Sequence, residues 1–149
     1  MATGSFAVQI RRFAEKAGRN MDQVVRHTTI SIANSVVEKS PVGNPDLWKS
    51  PPPPGYVGGR FRANWRFGDG APDAAVTDDI DTAGGATKTR LAAAIEATGA
   101  GGVTFISNHL PYGPALEQGH SSQAPSGIVE VTAIEFNDYV RQAVAELER

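Results

Sequence analysis

The sequence predicts an α+β fold, with a long N-terminal helix and a C-terminal helix packed on a small antiparallel sheet and a long Pro-rich loop between them. Three observations carry that prediction. Apolar residues recur every three or four positions from Phe6 to Val36 and again from Val131 to Leu147, the period of a helix with one apolar stripe. Apolar and polar residues alternate over Phe61 to Phe67, the period of a half-buried strand. The extended runs between the helices show no βαβ regularity, so the sheet is expected to be antiparallel.

In the first helical stretch the stripe is Phe6, Ile10, Phe13, Ala17, Met21, Val24, Thr28, Ile32 and Val36, widened by Val25, Ala33 and Val37. Gly18, followed by Arg19 and Asn20, predicts a break, with Asn20 as the N-cap of a fresh helix from Met21 to about Lys39. Pro41 ends it, because Ser40 before a proline is biased away from helix. Residues 43–60 form a Pro-rich arm in which Pro51, Pro52, Pro53 and Pro54 stand between Trp48 and Tyr56. Such a run favours a stiff polyproline II rod, with Leu47, Trp48 and Tyr56 as apolar anchors for a neighbouring subunit. The plain alternative is a solvent-exposed spacer.

In the strand that follows, Phe61, Ala63, Trp65 and Phe67 face one side and Arg60, Arg62, Asn64 and Arg66 the other, so the polar face is basic. A weaker strand is expected near Ala74 to Thr77. A short helix is expected over Lys88 to Thr98, ended by Gly99, Gly101 and Gly102, and then a strand over Val103 to Ser107. The C-terminal helix lies within Ile128 to Glu148, after a short extended start, and carries Val131, Ile134, Phe136 or Tyr139, Val140, Val144 and Leu147.

A chain of 149 residues suits one domain, 1–149, and its 16 Gly and 10 Pro point to long loops. With no Cys, disulfides, thiolate zinc sites and Cys nucleophiles are excluded. The N-terminus lacks the apolar core of a signal peptide and no run of eighteen apolar residues occurs, so the expected place is the cytoplasm or a particle assembled there. A net charge of -2 gives no overall pull toward nucleic acid, although Arg11, Arg12, Lys16, Arg19 and Arg26 outnumber Glu15 and Asp22 in the first helical stretch.

His27, His109 and His120 have no metal-ligand spacing. His120, Ser121 and Glu117 can be drawn as base, nucleophile and carboxylate, yet triads are defined by geometry and loop neighbours rarely point at one another. No catalytic residue, metal or cofactor is therefore expected. Asp78, Asp79 and Asp81 lack the spacing of a calcium loop. They read as a solvated acidic loop, or as partners for the basic face Arg60, Arg62 and Arg66 of a neighbouring copy.

In residues 106–129, ISNHLPYGPALEQGHSSQAPSGIV, a strand-like run enters a Pro-Tyr-Gly-Pro turn and leaves through a compact polar loop. Upstream, Ser40-Pro41-Val42-Gly43 closes the helical pattern and Gly58-Gly59-Arg60-Phe61-Arg62-Ala63-Asn64-Trp65 opens a strand. Over roughly residues 20–137 the chain resembles the tail-completion and neck (head-tail joining) proteins of long-tailed bacteriophages, the minor tail protein Z-like family. Members commonly read Pro-Val-Asp-Thr-Gly-Arg before a strand that carries a Trp. Here GNPDLWKSPPPPGYVG parts Pro41-Val42 from Gly59-Arg60, and the Asp-Thr is absent. In the loop, Asn108, Pro111, Tyr112, Glu117, Gly119, Ser121, Gln123, Ala124 and Pro125 match the family pattern, while His109 and Gln118 stand where members vary.

The resemblance implies a virion structural protein that forms a homo-oligomeric ring near the head-tail junction, against connector, stopper, tail terminator or tail tube, with no membrane contact. Genome DNA in the lumen is a further candidate partner, and a virion-associated enzyme is the remaining alternative. The contact residues expected on this reading are Trp48, Pro51, Pro52, Pro53, Pro54, Tyr56, Arg60, Arg62, Trp65, Tyr112, Glu117, His120 and Gln123. Tyr112 offers a flat ring with a polar tip for a partly wet contact. Glu117 is expected to pair with an arginine such as Arg62, inside the fold or across an interface.

Overall fold

A computed structural model describes residues 6–148; residues 1–5 and 149, which enter the leader and single-domain readings, lie outside the described residues. Helix α1 runs without interruption from Phe6 to Lys39, 34 residues, or about 51 Å at 1.5 Å per residue. The expected restart at Asn20 does not occur. Gly18 lies inside α1, and one interior glycine costs a helix only about 1 kcal/mol relative to alanine. The helix stops where Ser40 meets Pro41, as the sequence predicts.

After a single 3-10 turn at Pro45–Leu47, the chain forms α2 (Arg60–Ala63), β1 (Trp65–Asp69), α3 (Gly85–Glu96), β2 (Thr104–Asn108), α4 (Gly113–Glu117), α5 (Val129–Ile134) and α6 (Phe136–Leu147). Strands β1 and β2 pair antiparallel, with Trp65 opposite Asn108 and Asp69 opposite Thr104. The α+β class therefore holds, with two strands in the sheet among the described residues. Helices α6 and α3 both pack along α1, and α3 also packs on β1. No helix of the described residues is long and apolar enough to cross a membrane.

Five expected elements are corrected. The strand begins at Trp65, not Phe61, because Gly59 turns the chain at φ 124° and its carbonyl accepts the Ala63 N–H, winding residues 60–63 into one helical turn. Four alternating residues fit either geometry. Ala74 to Thr77 forms no strand, since the Asn64 side chain takes the place of a neighbouring strand: Thr77 N–H donates to Asn64 Oδ1 at 2.8 Å, and Asn64 Nδ2 donates to the Thr77 carbonyl at 3.0 Å. The Pro-Tyr-Gly-Pro turn leads into the short helix α4 before the polar loop. The C-terminal segment starts as helix and is parted at Glu135 into α5 and α6. Helix α3 starts three residues before its expected position, capped by Asp81, which accepts N–H bonds from Gly84 and Thr87.

The core lies where the second half of α1 meets α3, β1 and residues 110–128. Val36, Val37, Phe61, Trp65, Leu91, Ile95, Leu110 and Ile128 are its large buried members. Trp65, expected at a subunit contact, is 3% exposed and belongs to this core. Its indole N–H donates to Ser40 Oγ at 2.7 Å, and that hydroxyl donates to the Val36 carbonyl at 2.6 Å.

The two halves of α1 have opposite surroundings. Asp22 accepts the Ala100 N–H at 2.6 Å and Arg26 donates to the Thr98 carbonyl, so the body of the fold begins there. N-terminal to that clamp the same stripe is bare: Phe6 is 77% exposed and Phe13 74%, and Ile10 and Met21 are also exposed.

Replacing Ser40 by alanine removes the acceptor of the Trp65 indole N–H inside the core. Ser40→Ala is expected to lower stability by about 1–3 kcal/mol, read from the urea-unfolding midpoint, whereas Ser50→Ala in the exposed arm stays within about 0.5 kcal/mol. Equal midpoints for the two variants would contradict this assignment.

Candidate functional site

Residues from the base of the arm, from α2 and from the 106–129 segment enclose a cleft of about 580 Å³. The arm and its base contribute Val42, Gly43, Leu47, Trp48 and Tyr56; α2 contributes Arg60 and Phe61; the segment contributes Tyr112, Leu116, His120 and Gln123. Six expected contact residues thus meet here: Trp48, Tyr56, Arg60, Tyr112, His120 and Gln123.

The arm is a closed loop, which corrects the expectation of an extended rod. Trp48 and Tyr56 pack against each other with ring centres 4.8 Å apart and planes tilted by 56°, and the Tyr56 N–H donates to the Pro53 carbonyl, turning the proline run back. The loop closes at two glycines. A Cβ at residue 43 would lie 1.9 Å from the Tyr56 hydroxyl, and one at residue 58 would lie 2.3 Å from the Gly43 carbonyl oxygen. Pro51 to Pro54 are exposed on the outer side. Gln123 fastens the base from across the cleft, accepting the Val42 N–H at 3.0 Å and donating to the Val42 carbonyl at 2.8 Å, as a neighbouring strand would.

Aromatic rings step outward from the core to the cleft. Phe61 meets Trp65 edge-on at 5.7 Å and Tyr112 at 5.9 Å. Burial pushes the Tyr112 phenol above its ordinary pKa despite the opposing charge of Arg60. Arg60 pairs with Asp78 at 3.2 Å and donates to the Thr77 carbonyl. Both partners of that ion pair are well exposed, so it contributes little stability.

Arg62 and Glu117, also expected contact residues, hold the scaffold together. Arg62 donates to the carbonyls of Ser40 (3.1 Å), Thr82 (2.8 Å) and Glu38 (3.0 Å), closing the C-terminal end of α1. Glu117 does not pair with it. The Glu117 carboxylate accepts the N–H groups of Ile128 (2.9 Å), Val129 (3.0 Å) and Glu130 (3.0 Å), at the start of α5. This also separates Glu117 from the drawn Ser-His-carboxylate set. In the acidic loop Asp78 meets Arg60 of its own chain, and Asp81 caps α3. Burial pushes the Asp81 carboxyl up, but bonds from Thr87 and Gly84 and the charge of Arg62 together hold it below its ordinary value.

Sequence reasoning missed a second surface. Ile32 and Val36 of α1, Ile106 of β2, Val129, Thr132 and Ala133 of α5, and Phe136 of α6 line an apolar hollow of about 330 Å³. The helical period placed several of these residues on apolar faces, but which face stays uncovered depends on how α5 and α6 cross α1. Among the described residues no group of three metal-binding side chains forms. The chain was compared with protein-family models, curated proteins and solved structures, and no match was found.

The cleft thus presents half-exposed aromatic faces, an amide and a guanidinium on a braced loop pair, a composition suited to a partly wet protein contact. Its bracing depends on Glu117. Burial pushes that carboxyl up, but the N–H groups of Glu130, Val129 and Ile128 outweigh it and hold the group below its ordinary value of 4.5. The stabilisation is therefore complete above pH 4.5 and is lost as pH falls through the lowered folded value. Glu117→Gln is expected to cost roughly 1–2 kcal/mol at neutral pH. Urea midpoints of wild type and variant should converge as pH falls below that lowered folded value; a gap that stays constant with pH would contradict the capping role.

Proposed function

We propose that the chain is a structural virion protein of a long-tailed phage, a tail-completion or neck component whose copies form a ring at the head-tail junction. The observation that carries the reading is the bare first half of α1. Residues 6–21 continue an ordered helix past the body and hold Phe6, Ile10, Phe13 and Met21 in solvent. A contiguous apolar stripe on a soluble protein marks a contact surface. The cleft of Trp48, Tyr56 and Tyr112 offers a second one. A contact between two different patches of identical copies is heterologous, and it closes into a ring when its rotation permits. The phage setting is supplied by the likeness of residues 106–129 and of the Trp-bearing segment 58–65 to neck proteins.

A second reading uses the same projection. Arg11, Arg12, Lys16 and Arg19 are exposed on it, which suits contact with DNA phosphates in a lumen.

Negative-stain images of purified protein are expected to show closed rings, and particles lacking the protein are expected to separate into heads and tails. A protein that stays monomeric at high concentration, with intact particles in its absence, would overturn the assembly reading. Tight duplex-DNA binding that falls steeply with salt would favour the second.

A further inference from the structure

We infer that the projecting half of α1 from one copy docks in the apolar hollow between α1, α5 and α6 of the next copy. This rests on the proposed self-association and names the surfaces that carry it. Both halves of the contact are visible in a single chain. One is a helical stripe bearing Phe6, Ile10 and Phe13; the other is a hollow floored by Ile32, Val36 and Ile106 and rimmed by the exposed Val129 and Phe136. An amphipathic helix laid in an apolar groove is a recurring mode of recognition, read through anchors spaced three and four residues apart. The stripe's anchors at 6, 10 and 13 have that spacing.

Charge matches the two surfaces. The projecting half carries Arg11, Arg12, Lys16 and Arg19 against the single acid Glu15. Residues 129–148 carry Glu130, Glu135, Asp138, Glu146 and Glu148 against the single base Arg141; Glu135 pairs with Lys39 of α1 and Asp138 with Arg141, and the segment keeps a net acidic excess. Opposite fields of this kind speed encounter and select one orientation. They also disfavour pairing of two projecting halves side by side, since both are basic.

The projecting half of α1 cannot fill the hollow of its own chain. Ile32 and Val36, in the floor, belong to the same uninterrupted helix as the stripe. Phe13 precedes Ile32 by 19 positions, about 28 Å along a rigid rod. A stripe seated in the hollow therefore comes from a second copy, and because stripe and hollow are different surfaces, the contact repeats from copy to copy.

Two exposed positions test this in the full chain, with assembly read by sedimentation velocity and folding by thermal unfolding. Phe13→Asp spoils the stripe and leaves the hollow; Ala133→Arg spoils the hollow and leaves the stripe. Each alone is expected to raise the assembly midpoint by at least about tenfold. Mixed, they are expected to form a one-to-one complex that grows no further, because the intact stripe of one fits the intact hollow of the other. If Ala133→Arg does not fold, Val129→Lys takes its place. Wild-type assembly with undiminished assembly of the hollow variant would overturn this inference and leave the assembly reading standing. A wild type that remains monomeric overturns both, and if it then binds anionic phospholipid vesicles the stripe belongs to a lipid surface.

Discussion

The C-terminal end of α1 is the joint on which the rest of the fold hangs. A helix leaves its last carbonyls without intrahelical partners, and here a side chain from a later element takes them. Arg62 binds the carbonyls of Glu38 and Ser40 while also holding the Thr82 carbonyl. Ser40 receives the Trp65 indole through its hydroxyl, and Lys88 of α3 pairs with Glu38 at 2.6 Å. One helical turn thereby fixes α2, β1 and α3. The cleft inherits that rigidity, since Phe61 and Arg60 sit in the same short helix as Arg62 and Gln123 is bonded to Val42 just beyond the joint.

Against this anchored end stands a free one. Burying a large apolar side chain stabilises a protein by about 1.5–3 kcal/mol, and α1 leaves Phe6, Ile10, Phe13 and Met21 in water. Association has costs of lost freedom of similar size, so the stripe alone suits a contact that forms when many copies are held together. A rigid projecting helix limits those costs, because a preformed helix has little order left to gain. The basic residues along it and the acidic C-terminal segment supply direction more than affinity.

Much of this architecture was legible in the residues. The three-four period located both terminal helices, the Ser-Pro pair located the end of α1, and the run at 103–107 located β2 to within one residue. What escaped depended on distant partners. Phe61 and Ala63 alternate with polar neighbours as in a strand, and only the Gly59 bend reveals a helical turn. Glu117 and Arg62 read as natural ion-pair partners, yet both bind backbone groups, which leave no trace in the order of side chains. Six of the residues expected at a contact, Arg60 among them, do converge on the cleft. Trp65 looked the same in the sequence and lies in the core. Periodicity showed that α1 has an apolar stripe; it carried no information about where the body stops covering it.

The division of α1 into an anchored half and a docking half can be measured directly by amide hydrogen exchange, residue by residue, as protein concentration is raised from monomer to assembly. Residues 28–40 are expected to exchange slowly at every concentration. Residues 6–21 are expected to exchange quickly in the dilute monomer and to become protected together with residues 129–136 as assembly proceeds. Equal and concentration-independent protection of both halves would contradict the account.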